Sequence, residues 1–147
     1  MDLDGEHRIS APADAVWRAV NDPAVLAACI PGCESCTDQG GGRFAATVAV
    51  RVGSLAARFS GTVQIEDADA GRSYTLAGQG QGGVAGFVRG RAQVTMDEDD
   101  GGTVLRWQAR AEIGGRLASV GGRLLHGFAK KTAAEFFDRL GKRLAES

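Results

Sequence analysis

Residues 115–146 read GRLASVGGRLLHGFAKKTAAEFFDRLGKRLAE. Within them Leu117, Val120, Leu124, Phe128, Thr132, Phe136, Leu140 and Leu144 recur at intervals of three and four. That spacing puts them on one stripe of an α-helix. Lys130, Lys131, Arg139, Lys142 and Arg143 mostly fall off the stripe. Gly121, Gly122 and Gly127 interrupt its first half, each at about 1 kcal/mol against alanine. They predict a later helix start, a kink or a close approach. A long helix with one apolar stripe has to lie on an apolar surface, and a sheet with one apolar face is the natural partner.

The preceding residues supply such a sheet. Leu3, Gly5, His7 and Ile9 alternate with Asp4, Glu6 and Arg8, the period of a strand. Ser10 to Asp14 starts a short helix with Pro12 in its first turn, and Val16, Trp17 and Val20 form its apolar face. Asp22-Pro23 breaks it, Ala24 to Ala28 makes a second short helix, and Ile30-Pro31-Gly32 ends that one. Five strand-like runs follow: Phe44 to Val52, Leu55 to Ile65, Tyr74 to Gly80, Val88 to Met96 and Leu105 to Ile113. The short turns between them favour antiparallel neighbours. The fold class expected is α+β: a curved antiparallel sheet wrapped around a long C-terminal helix, with two short helices after the first strand. Residues 1–147 read as a single domain.

Bulk properties exclude several classes of protein. The 147 residues carry a net charge of -1, so nothing draws the whole chain toward nucleic acid or anionic lipid. MDLDGEHRIS is acidic and lacks the apolar segment of a signal peptide. No run approaches the roughly 18 apolar residues of a membrane span. The expected location is the cytoplasm. Three cysteines within CIPGCESC (Cys29, Cys33, Cys36) do not form an extracellular disulfide framework.

The unusual count is glycine, at 22 residues. On the inward phase of the strands, bulky Phe59, Ile65, Leu105, Trp107 and Ile113 stand toward the ends. Small Gly61, Gly78, Gly80, Gly90, Ala92, Ala109 and Ala111 stand between. Interiors pack to about 0.75 density, so small residues must be met by a close helix or leave room for a ligand. An apolar cavity is one reading. Glycines that only permit curvature are the other.

Several stretches match one family. Asn21-Asp22-Pro23, Cys29-Ile30-Pro31-Gly32-Cys33-Glu34, Val50-Arg51-Val52-Gly53 and Tyr74-Thr75-Leu76 with Gly78-Gln79-Gly80 are four of them. Gly82-Gly83-Val84-Ala85-Gly86-Phe87, Ile113-Gly114-Gly115-Arg116-Leu117-Ala118 and Ala134-Glu135-Phe136-Phe137 complete the set. The chain resembles the carbon monoxide dehydrogenase G-subunit family, within the START/Bet v 1-like (SRPBCC) helix-grip superfamily. The resemblance implies an apolar cavity under the helix, lined by Trp17, Leu26, Ile30, Phe59, Tyr74, Leu76, Val84, Phe87, Trp107, Leu124, Phe128 and Phe136. It implies an accessory role beside a carbon monoxide dehydrogenase-like molybdenum hydroxylase, recruited to the inner face of the cytoplasmic membrane near the quinone pool. The ligand would be quinone- or lipid-like. Many members carry a C-terminal extension that helps attachment; this chain ends at Ser147, after the helix, so an anchor of its own is not expected.

The C-x3-C-x2-C spacing of the cysteines suits an iron–sulfur cluster, yet the chain has no room for the larger scaffold of a radical enzyme. The cysteines read as packing residues at a turn; neither metal nor cofactor is expected. His7 falls on the inward phase and is either a polar contact to the cavity or a structural histidine. Tyr74 is inward too, and its hydroxyl wants a partner if buried. Gly82, Gly83 and Gly86 do not lie between a parallel strand and a helix, so they are no dinucleotide cradle. The outward phase carries Arg43, Arg51, Arg58, Arg89, Arg91, Arg106 and Arg110. Arg51, Arg58, Arg89, Arg91, Arg106 and Arg110 are the expected docking face for an acidic partner or lipid headgroups, against the alternative of a solvated face. No aromatics interleave there, so nucleic acid is not expected as a partner. No catalytic residue is assigned. A free-standing cyclase, hydratase or hydrolase of the same fold is the alternative, with His7 and Tyr74 as its inward acid–base candidates.

Overall fold

A computed structural model describes residues 1–146. The elements run β1 (Asp2–Ile9), α1 (Ala13–Val20), α2 (Pro23–Cys29), β2 (Cys33–Gly40), β3 (Arg43–Val52), β4 (Leu55–Asp69) and β5 (Ser73–Gln81). A 3-10 turn (Gly83–Ala85) precedes β6 (Phe87–Asp99) and β7 (Gly102–Gly114), and then come α3 (Arg116–Ser119) and α4 (Gly122–Ala145). Seven strands form one sheet in the order β1-β7-β6-β5-β4-β3-β2, with every neighbouring pair antiparallel. The expected curved sheet with a long C-terminal helix is present.

One strand differs from expectation, and one expectation left open at the glycines is resolved. β2 (CESCTDQG) has no apolar alternation, so the pattern does not predict it; it is an edge strand held by pairing to β3. The terminal helix is broken in two. Gly121 sits at φ 105 between α3 and α4, a conformation glycine adopts without a Cβ penalty. Upstream, the Asp22 carboxylate accepts from Ala24 N at 2.9 Å and Pro23 opens α2, which fixes the turn between the short helices.

The apolar interior falls into two packed groups. One joins Ile9, Val16, Val20, Cys29, Tyr74, Val94, Met96, Leu105, Trp107 and Leu140, beneath α1, α2 and the C-terminal half of α4. The other joins Val52, Phe59, Ala85, Leu117 and Leu125, at the 3-10 turn and the α3–α4 end. Helix α4 touches β1, α1, α2 and β3. It spans the concave face without filling the centre.

Candidate functional site

The concave face between the two groups is where small residues meet across strands. One row is Val63–Gly78–Gly90–Ala111 through β4, β5, β6 and β7. The next is Ile65–Leu76–Ala92–Ala109, and on the other side lies Gly61–Gly80–Val88–Ile113. Val63, although on the concave phase, is 36% exposed. Val48, Ile65, Leu76 and Ala92 are half-buried, as are Leu26 and Ile30 from α2 and Phe128, Thr132 and Phe136 from α4. A fully packed sheet–helix interface would bury these positions. Helix α4 therefore leaves these apolar positions partly uncovered, and this half-open strip of the concave face is the slot.

The glycines divide into two kinds. A Cβ at Gly61 would lie 1.9 Å from the Gln79 carbonyl oxygen, and one at Gly90 would lie 2.6 Å from that of Arg110. At both, two backbones approach where the sheet bends, so curvature explains them. A Cβ at Gly78 or Gly80 would meet nothing closer than 3.6 Å. Those two leave room that a side chain could occupy.

The expected lining residues are not all brought together. Phe59, Tyr74, Leu76 and Trp107 face the concave side; Trp17 packs on the first group with its ring 5.3 Å from that of Tyr74. Phe128 and Phe136 pack against opposite groups and so bracket the slot. Three expectations fail. Phe87 has the phase of Arg89, lies against Gly114 and carries the Arg89 guanidinium 5.8 Å from its ring centre, so it belongs to the outer face. Val84 stands 84% exposed on the 3-10 turn, and Leu124 is 53% exposed while Leu125 is buried. Phe128, Thr132, Phe136 and Leu140 keep the expected stripe through α4; in its first turn Leu125, not Leu124, takes the buried position. Two surface depressions, of about 720 and 310 Å³, are lined by none of the expected cavity residues.

Polar groups in the interior are few. The Trp107 indole is 9% exposed, and its Nε1 has no hydrogen-bond partner among the described residues. Lys130 Nζ stands 5.7 Å from the indole and donates to the Asp4 carbonyl, with the Asp4 carboxylate 3.9 Å away. His7 stacks on Phe137 at 4.4 Å. Burial, and secondarily the Lys130 charge, lower its pKa. Burial pushes the Tyr74 hydroxyl well above the usual phenol range, so it donates a proton rather than serving as a base. Cys29 is core; Cys33 and Cys36 are half-buried, and desolvation raises all three thiols. Such thiols are poor nucleophiles.

The outer face corrects the docking expectation. Arg58 pairs with Glu34, Arg89 with Glu112, Arg91 with Glu66, Arg106 with Glu6 and Asp97, and Arg110 with Asp2. These carboxylates neutralise the arginines, and Arg43 Nε donates to the Gln39 side chain. Of the six, Arg51 alone has no partner among the described residues. Alternation along a single strand carries no register, so it does not reveal the acid opposite each arginine. No described helix is long and apolar enough to cross a membrane.

A curved antiparallel sheet holding a long C-terminal helix defines a helix-grip protein, and solved structures agree. A START superfamily protein from Mycobacterium smegmatis superposes at TM-score 0.72 with 14% identity, covering 99% of this chain and 97% of that one. The Zhui aromatase/cyclase from Streptomyces sp. R1128 gives 0.71 at 14% identity, over 99% and 93%. A conserved protein from Geobacillus kaustophilus gives 0.93 at 28% identity, over 100% and 97%. No curated protein matches the chain. The chain belongs to the carbon monoxide dehydrogenase G-subunit (CoxG) family, whose sequence model matches residues 5–145.

Proposed function

We propose that this protein is a non-catalytic accessory of a carbon monoxide dehydrogenase-like molybdenum hydroxylase. It holds an apolar, quinone- or lipid-like molecule in the slot under α4 and recruits the hydroxylase to the cytoplasmic membrane. The observation behind ligand binding is the half-open concave face, with Val63 36% exposed beside Gly78. Solvent-facing apolar surface inside a fold gains roughly 25 cal/mol per Å² when a ligand covers it. Family membership supports the hydroxylase as partner.

The test has two arms. Tagged protein purified from its native host in mild detergent should bring down the molybdenum hydroxylase in stoichiometric amounts. Titration of the pure protein with a short-chain quinone should quench tryptophan fluorescence saturably. Protein that emerges alone removes the accessory role; a linear, unsaturable titration removes the ligand.

A catalytic reading has one observation behind it. The buried Tyr74 hydroxyl has no hydrogen-bond partner among the described residues, and it could donate to a bound carbonyl. His7→Phe and Tyr74→Phe variants that abolish turnover of an apolar substrate would favour this reading.

A further inference from the structure

Three arginines without partners share one end of the molecule. The β3–β4 turn, the 3-10 turn and the α3–α4 junction converge there. A Cβ at Gly53 would stand 3.6 Å from Leu124 and 3.8 Å from Val120, and one at Gly115 would stand 2.5 Å from the Gly86 backbone. Arg51, Arg116 and Arg123 all belong to this end, and all are exposed. Among the described residues their guanidinium groups have neither ion pair nor hydrogen bond. The carboxylates on the strands that lead to this end, Glu34 and Glu112, are engaged by Arg58 and Arg89. The same end carries the two side chains that depart most from apolar burial, Val84 at 84% and Leu124 at 53% exposure. The far end of the strands is the reverse. Asp67 and Asp69 close β4, Asp99 closes β6 and Asp100 stands in the β6–β7 turn, with Arg72 and Arg8 among them and Asp97 paired with Arg106.

We infer that the end bearing Arg51, Arg116 and Arg123 docks on an anionic lipid bilayer. The inference rests on the membrane recruitment proposed above and names the surface that performs it. Three uncompensated guanidinium groups match phosphate headgroups, and each basic residue at such a surface is worth a factor of about five in binding. Val84 and Leu124 stand where they would enter the headgroup layer beside them. The acids at the opposite end orient the molecule by repulsion. A protein that is nearly neutral as a whole therefore has a polar distribution of charge, which its net value of -1 conceals.

Vesicle co-sedimentation of the whole chain tests this, with no hydroxylase or quinone present. The probes are vesicles of phosphatidylcholine alone and of phosphatidylcholine with about one-third phosphatidylglycerol. Binding is expected only to the anionic vesicles, and to weaken as salt shortens the Debye length. Arg51→Ser/Arg116→Ser/Arg123→Ser should weaken it about fivefold per arginine, roughly 100-fold in all. Arg72→Ser/Arg91→Ser/Arg106→Ser, away from this end and with the same change in net charge, should bind as the wild type does. Val84→Ser should weaken binding at unchanged charge. Circular dichroism confirms that each variant folds. Absence of binding to anionic vesicles, or equal loss in both triple variants, overturns the inference. A first triple variant that loses the hydroxylase while vesicle binding is absent from the wild type makes this end a protein-docking site instead. The recruitment reading is judged separately by co-purification, so either can fail alone.

Discussion

The indole of Trp107 lies across Gly5 of the neighbouring strand: a methyl group at position 5 would stand 2.6 Å from Nε1. The ring occupies the space a side chain would take, under Lys130 and inside the larger packed group. Gly5→Ala should push the indole off its seat and cost about 1–3 kcal/mol, the usual penalty of overpacking. Urea unfolding reads the loss, and tryptophan emission should move to longer wavelength. An unchanged midpoint would mean that the ring yields without cost.

That contact also marks how far a sequence pattern reaches. Alternation places Gly5 and Trp107 on the inward phase, and it yields six of the seven strands and the order of elements. It does not place them opposite each other, because register comes from turn geometry and the buried face of both strands together. The same gap hides the acids facing Arg89, Arg91 and Arg106. β2 escapes the pattern because an edge strand flanked by a bulge needs no apolar period. Leu124 shares the stripe of Phe128 within α4, but Leu125 beside it is the one covered; two adjacent leucines at the edge of a stripe do not say which of them is buried. The slot is legible in outline from Gly78 and Gly80; the curvature role of Gly61 and Gly90 needs the paired strand to be seen.

His7 makes stability depend on pH. Its folded pKa is lowered, first by burial and then by Lys130, while the unfolded chain keeps the ordinary value near 6.5. Above about 6.5 both states are neutral at this position, and it contributes no pH dependence. As pH falls below that value the unfolded state binds the proton first, so folding weakens. Thermal melts between about pH 7 and pH 5 should therefore fall more steeply for the wild type than for His7→Phe, which keeps a ring against Phe137. Parallel curves would show that the imidazole charges freely in the folded state.

The two kinds of glycine separate a ligand slot from a bend. Gly61→Ala drives a Cβ onto the Gln79 carbonyl at 1.9 Å, so the strands must part, at a cost of about 1–3 kcal/mol or more. A Cβ at Gly78 meets only ordinary contacts, the nearest at 3.6 Å from Thr62 and Val63, so Gly78→Val brings no backbone clash. Removing a strand glycine there should be neutral or stabilising by about 0.5–1 kcal/mol. The valine would fill the space beside Val63 that the proposed ligand needs. If it displaces roughly 50 Å² of contact, quinone affinity should fall about eightfold to tenfold. Stability from urea unfolding and affinity from fluorescence titration then move in opposite directions for Gly78→Val, a combination that misfolding does not produce. A Gly78→Val protein that folds well and binds as tightly as the wild type would place the ligand elsewhere, because no apolar molecule can lie over that row without touching the new side chain.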